Sequence, residues 1–496
     1  MGLLGHIAYV VVFLGLALSV PFHSLESVSG ALVVVGVIGI WRYSWALTNF
    51  LRAFWFLKRV YPRRKAVAHA AYAETGLAAH AYFLVTSYKI EPETTSRVYR
   101  SIFVAAARSD GGATVVCSVV DSSDVRLIRA IHQRVMTEIG PERCKAVRLI
   151  VDQIAGTGKR DALARSLRLI AREAPTRRDI VVFVDGDSCV PEDIVAASAP
   201  FFTDPDVGAV TTDERVEIRD AGLFRDWFSL RFNQRQVMMS SMGLSNRVLT
   251  LTGRMSVVRA DLATDPGFVT QVQSDFIDHW RLGRVAFLTG DDKSTWFWLL
   301  KHGYKMGYLP DVASVSMESQ PQPGFVDSAV TLMIRWFGNM LRTNARALAL
   351  PPSQIGLFTW WSILDQRISI WTTLAGPLSV LLGAVFVEPM VLPAYIAWVM
   401  MTRYVYCCVL SLVRGEGFPI TYPLLLYFSQ IGGAAVKSHV LFRLDRQRWT
   451  RQSAAIGRSV ARRSWRIWLK SLSSTFSHAL ALGWLTFGVV LLSGIA

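Results

Sequence analysis

Two acidic pairs are the residues best suited to do chemistry. The first, Val184-Asp185-Gly186-Asp187, closes a β-branched apolar run with two carboxylates. Charges at the end of a buried strand are costly unless they reach solvent or bind a cation. An oxygen-only donor pair favours Mg²⁺ or Mn²⁺, and such a cation neutralises a diphosphate as it leaves. The plain alternative is a turn with an aspartate–glycine tip. The second pair, Thr289-Gly290-Asp291-Asp292, follows about a hundred residues later. If a metal occupies the first pair, a separate carboxylate must take the proton of an attacking hydroxyl, and Asp292 is assigned that role with Asp291 positioning it. Either aspartate could instead cap a helix opening at Lys293-Ser294-Thr295-Trp296.

Further candidates surround these pairs. Asp121 ends the run 115–120, and Thr86 and Tyr88 lie at the end of the run 83–86, where a nucleotide settles at a sheet's carboxyl edge. Asp124 can alternatively cap the helix beginning near Val125. Gly156-Thr157-Gly158-Lys159-Arg160-Asp161 is glycine-rich and basic but lacks the spacing of a Walker loop. Lys159 there can neutralise phosphate or sit in a solvated turn. Arg335-Trp336 joins a cation able to pair with phosphate to a flat ring able to stack on a sugar; the alternative is an interfacial tryptophan beside a snorkelling arginine.

These residues need a scaffold, and the chain of 496 residues supplies one unevenly. Hydrophobic residues make up 52% and charged residues 18%, with the apolar weight at the two ends. Apolar runs at 83–86, 114–120 and 180–184 alternate with helical stretches such as 94–108 and 160–172, which predicts an open, mostly parallel α/β sheet. Apolar runs 3–20 and 28–47 are long enough to cross a bilayer, which takes ~20 residues. The basic stretch from Arg42 to Lys65 places the following domain in the cytoplasm. The segment after Val326 puts Arg335, Asn339, Arg342 and Arg346 on one stripe, opposite Met333, Trp336, Phe337, Met340 and Leu348, and reads as an amphipathic interface helix.

The expected organisation is two membrane helices in 1–60, a cytosolic domain in 61–325, interface helices in 326–366 and a membrane region in 367–496. Because three full crossings before Arg443 would put the basic stretch 443–470 outside, the run 419–442, with Gln430, Lys437 and His439, is assigned to an interfacial or re-entrant segment lining a polar cavity. The net charge of +16 fits both anionic lipid and an anionic cargo. Five cysteines without paired spacing suggest neither a zinc site nor a disulfide framework.

In this order the motifs resemble the processive family-2 glycosyltransferases, the cellulose, chitin and hyaluronan synthases. That resemblance implies a GT-A-like domain between membrane helices. It implies that Asp121 and Asp185 contact the nucleotide, that Asp185 and Asp187 hold the metal, and that Asp292 is the base. Arg335 would cap the diphosphate and Trp336 meet the acceptor sugar, although Leu332 stands where the family's motif has Gln or Arg. Trp449-Thr450-Arg451 resembles a shortened gating-loop motif within a cytosolic loop near 443–455, which closes over nucleotide through Trp449 and Arg451.

Segments 40–44, 156–161, 251–256, 279–284 and 443–447 look like those of bacterial alginate (mannuronan) polymerase catalytic subunits. They imply transfer of β-D-mannuronate from GDP-mannuronate to a β-1,4 chain moved across the inner membrane, and a PilZ-containing partner sensing cyclic di-GMP. Arg254, Lys293 and Arg342 are candidates to face the uronate carboxylates. Another sugar nucleotide, or single transfer to a lipid carrier, is the alternative enzymatic reading. A channel with a binding domain is the non-enzymatic one, and it has no use for Asp185, Asp187 and Asp292.

Overall fold

The computed structural model describes residues 2–144, 146–219, 222–447 and 465–494. Its centre is an eight-stranded sheet in the order β3-β2-β1-β4-β7-β6-β10-β5. In chain order the strands are β1 (Ala81–Thr86), β2 (Ala113–Val119), β3 (Val147–Gln153), β4 (Ile180–Asp185), β5 (Ser188–Cys189), β6 (Val207–Ile218), β7 (Met255–Arg259) and β10 (Lys305–Glu318). Strands β8 (Phe276–His279) and β9 (Gly283–Ala286) form a separate hairpin. Neighbours β3, β2, β1 and β4 pair in parallel, whereas β7 runs antiparallel between β4 and β6. The mostly parallel α/β sheet expected from the sequence is present.

Consecutive residues of β1, β2 and β4 are buried, so both faces of the sheet are covered, as parallel strands require. Helix Pro92–Ala107 contributes Tyr99, Ile102 and Phe103 to that core, and helix Lys159–Ala171 contributes Leu163, Leu167 and Ile170.

Apolar helices flank the sheet domain. Among the described residues, four are long and apolar enough to cross a membrane: Ser29–Glu74, Leu357–Phe386, Val391–Arg414 and Ile467–Ser493. Helix Gly2–Leu18 is apolar but shorter. Leu3, Val37, Ile40, Phe386, Leu412 and Leu491 are exposed on these helices, an apolar surface that suits lipid. Tyr422–Leu441, where the sequence suggested an interfacial or re-entrant segment, is a continuous helix. Helix Phe325–Leu348 lies between the sheet domain and this bundle. Its Trp336, Phe337 and Met340 pack in apolar clusters with bundle residues such as Leu426, Phe428, Ile370 and Trp371. This helix and the apolar bundle therefore share apolar clusters.

Candidate functional site

The carboxyl edge of the sheet brings Thr86 of β1 into register with both Ser118 of β2 and Asp185 of β4. At this edge the chain turns over β1. A methyl group on Gly186 would lie 2.5 Å from Ser87 Oγ and 2.8 Å from the Thr86 carbonyl oxygen, so only glycine fits between the two aspartates. The Gly186 N–H donates to that carbonyl at 3.2 Å, and the Asp187 carbonyl accepts from Met317 N–H at 2.8 Å.

Lys159 opens its helix directly opposite. Its Nζ lies 2.6 Å from Asp185 Oδ1 and 2.9 Å from Asp291 Oδ2, joining the two acidic pairs through one ammonium. The glycine-rich segment thus reaches the acids directly, a pairing that spacing alone does not reveal. Gly253 measures the other approach: a methyl group built there would touch Asp185 Oδ2 at 3.6 Å and Asp292 Cβ at 3.7 Å. Asp185 and Asp292, more than a hundred residues apart in sequence, therefore face one gap.

The second pair is held by a left-handed residue. Gly290, with φ +82°, stands at the N-cap of helix Asp291–Lys301, so both aspartates fall in the first turn and neither is the N-cap residue. Carboxylates there gain from the helix dipole. The same glycine faces Asn339 of the interface helix, whose Cγ a methyl would approach to 2.9 Å. Asn339 Oδ1 accepts from Thr289 Oγ1 at 2.7 Å and from Arg342 Nη2 at 2.6 Å.

Arg160 donates to the Thr289 carbonyl at 3.0 Å, to Ser294 Oγ at 3.0 Å and to the Val272 carbonyl at 2.8 Å. Asp275 accepts two bonds from Arg346, at 2.5 and 2.9 Å, and one from Ser294 Oγ at 2.6 Å. Arg160, Asp275 and Asn339 were not assigned roles from sequence, although Arg160 sits in a motif that was.

The electrostatics separate the two aspartates of the second pair. Burial, reinforced by Asp291, raises Asp292 above the usual carboxylate range. Burial acts the same way on Asp291, but Lys159 and Arg160 outweigh it and hold Asp291 below that range. Burial also pushes Asp185 up to about 6, with Asp187 and Asp291 adding and Lys159 opposing. Neighbouring carboxyls whose proton affinities are driven apart are suited to different roles. Asp292 is the one suited to accept a proton.

A cavity of about 1210 Å³ joins these groups. Thr86, Tyr88, Lys159, Asp185, Asp187, Asp291, Asp292, Arg335 and Trp336 all line it, and so does Leu332. Asp121 is not among the lining residues. The chain turns into helix Ser122–Ile139 at that point: Asp121 is its exposed N-cap, its carbonyl takes the first helical N–H groups, and the neighbouring Val120 lines the cavity instead. Trp449 and Arg451 lie outside the described residues. Just before them, Gln447 exchanges hydrogen bonds with the Ala286 carbonyl and Leu288 N–H, 2.8 and 3.0 Å, docking the chain beside the second acidic pair.

Trp336 lies in an aromatic group: Trp227 stacks at 5.8 Å, Phe228 meets it edge-on at 5.7 Å, and the Arg231 guanidinium sits 4.2 Å from its ring centre. Arg254 is held between Glu214 and Glu318, Lys293 donates to the Leu249 carbonyl, and Arg342 donates to the Leu444 carbonyl and Asn339. The cavity continues among the apolar helices, past Arg42, Ser369, Thr373, Arg403, Gln430 and Lys437.

The family described as "Glycosyltransferase like family 2" matches residues 79–339. The chain is 42% identical over 480 residues to "Glycosyltransferase alg8" of Pseudomonas syringae pv. tomato, covering 95% of each. It is 43% identical over 455 residues to "Glycosyltransferase alg8" of Azotobacter vinelandii, covering 90% of this chain and 89% of that one. Among solved structures it is similar to a mannosyltransferase from Pyrobaculum calidifontis in complex with GDP-Man and Mn²⁺. That similarity amounts to 18% identity and a TM-score of 0.41, over 78% of this chain and 98% of that one.

Proposed function

The chain belongs to glycosyltransferase family 2, and from that premise we propose that it polymerises β-D-mannuronate from GDP-mannuronate into a β-1,4 chain and passes the product through its own membrane helices. The observation that carries the reading is the single cavity of about 1210 Å³. It reaches from Thr86 and Asp185, past Asp292 and Trp336, to polar residues on helices apolar enough to span lipid. The resemblance of five sequence segments to alginate polymerases supports the choice of sugar. It also brings in the inner membrane, a catalytic domain in the cytosol, and a PilZ partner sensing cyclic di-GMP.

In this reading Asp292 takes the proton of the acceptor hydroxyl while that oxygen attacks the anomeric carbon from the face opposite GDP. The new C–O bond forms as the anomeric carbon–phosphate oxygen bond breaks, and the electron pair leaves with GDP. Inversion follows from the single displacement. Lys159 holds Asp291 ionised and orders Asp185 for the incoming nucleotide. Arg335 faces the diphosphate and Trp336 faces the acceptor sugar, while Asp121, outside the cavity lining, is given no contact in this reading.

Asp185 and Asp187 would hold a divalent cation. Both carboxylates line the cavity, where they would form the protein's share of the cation's shell. Two hard carboxylates with diphosphate oxygens completing the set suit Mg²⁺ or Mn²⁺. When bound, that cation neutralises the leaving diphosphate.

The test is incubation of the purified protein, with its partner, with GDP-mannuronate and with rival sugar nucleotides, followed by product sizing. A long acidic polymer formed from GDP-mannuronate alone is the expected result. Addition of a single sugar, or equal polymerisation of a neutral donor, would refute the reading.

A further inference from the structure

Three cations around the nucleotide end of the cavity have acidic partners: Lys159 pairs with Asp185 and Asp291, Arg235 with Glu214, and Arg254 with Glu318, while Arg160 and Lys293 are bonded to carbonyl and hydroxyl oxygens of the protein. The balance changes beyond Trp336. On helices Ser29–Glu74, Leu357–Phe386, Val391–Arg414 and Tyr422–Leu441, the charged lining residues are three cations, Arg42, Arg403 and Lys437, against one carboxylate, Asp365. Asp365 is taken by Arg42 at 2.6 Å. Among the described residues Arg403 donates to neutral oxygens, Gln430 Oε1 at 2.9 Å, Tyr43 OH at 3.0 Å and Thr402 Oγ1 at 3.0 Å.

Lys437 and Arg231 have less. Among the described residues neither makes a hydrogen bond or ion pair, and each rests on an aromatic ring: Arg231 on Trp336 at 4.2 Å, Lys437 Nζ over Phe337 at 4.7 Å. Arg231 and Arg42 repel Lys437, and only Asp365, itself bonded to Arg42, attracts it; Arg231 is repelled by Arg254 and Arg235 and attracted by Glu214, which Arg235 and Arg254 already share. Ring faces return only part of what a cation loses on leaving water. Cations held along a low-dielectric passage, with no carboxylate bonded to them, mark the path of an anion.

We propose that Arg231 and Lys437, with Arg403 beyond them, form a carboxylate-binding track for an acidic polysaccharide, so that the exit path as well as the donor pocket selects a uronate chain. Arg231 and Lys437 flank the Trp336-Phe337 pair of the interface helix, where a newly lengthened chain would leave the catalytic gap. Lys437 and Gln430, which holds Arg403, are two turns apart on one helix, about 10.5 Å along its axis. The track therefore meets successive sugars rather than one. This inference rests on the polymerase reading above.

The experiment uses the full chain in nanodiscs. It compares binding of a short oligomannuronate with that of a neutral β-1,4-mannan oligomer of equal length, in wild type, R231Q, K437Q and K437R. Wild type should prefer the acidic oligomer at least tenfold. R231Q and K437Q should each weaken acidic binding about tenfold, whereas K437R should retain most of it. Unchanged acidic affinity in both glutamine variants overturns the track and leaves the polymerase reading standing. No preference in wild type overturns that reading, and the track with it. Loss of the preference when neutral lipid replaces anionic lipid assigns the cations to headgroups and also overturns the track.

Discussion

Replacing Asp292 with asparagine removes a proton acceptor while keeping the side chain's shape. The residue sits in the first turn of helix Asp291–Lys301, and its loss of charge forfeits about 0.3–1 kcal/mol of favourable interaction with the helix dipole. It also removes a repulsion felt by Asp291, so folding should change by less than about 1 kcal/mol. Asp292 has no bond to Lys159, whose partners are Asp185 and Asp291, so the nucleotide end should keep its arrangement. The chemical step loses its base, worth about 10²–10⁴-fold, or roughly 2.7–5.5 kcal/mol in the barrier. The assay pairs initial GDP release from GDP-mannuronate with calorimetric GDP binding on the same preparation. GDP affinity should stay within about fivefold while the rate falls by at least a hundredfold.

The pH profile adds a second readout. A base works only when deprotonated, so the wild-type rate should rise with pH through the pKa of Asp292. Because burial and Asp291 raise that pKa, the limb should lie above the ordinary aspartate value of about 3.9, with activity lost as pH falls through it. D292N should lack this limb. A variant rate within tenfold of wild type, with the limb intact, would refute the assignment of Asp292.

Other substitutions probe the surrounding parts. D187A should abolish Mn²⁺-dependent GDP binding measured by titration with and without chelator; an unchanged metal dependence would remove Asp187 from the cation's shell. G290A forces an L-residue into φ +82° and drives a methyl to 2.9 Å from Asn339. It should lower stability by at least about 1–2 kcal/mol in thermal unfolding and cut turnover; an unaltered melting temperature would contradict the packing described. R346M strands Asp275, whose side chain is only 5% exposed, and should cost about 3–5 kcal/mol, read in the same unfolding assay. A loss below about 1 kcal/mol would show that Asp275 has another route to neutralisation.

The sequence was legible where local chemistry carried the signal. Runs such as 83–86 and 180–184 are β-branched and bounded by turns, and they are strands β1 and β4. Strands β6 and β10 were not singled out because they carry Asp213, Glu214, Arg215 and Glu318, whose partners lie far away in sequence; Arg414 meets Asp213 and Arg235 meets Glu214. The two acidic pairs could be named from their motifs, but their closure through Lys159 and around Gly253 is a property of the fold. Helix Leu223–Gly243 left no clear pattern, since Trp227 and Phe228 are buried within a cluster and Arg231 rests against Trp336. Its contribution to the cavity became visible only with the neighbours in place.

One rod joins the lipid to the catalytic body. The segment Ser29–Glu74 is helical over 46 residues, about 69 Å from end to end, interrupted only by a wider turn at Phe56–Val60. Phe56 lies against Gly243, where even a methyl would come within 2.6 Å of its ring, so the two cannot slide freely. Hydrocarbon spans only about 30 Å of that length. The rest of the rod reaches past that thickness to the contact at Gly243, so the apolar bundle and the sheet domain are joined by one helix rather than by a loose linker.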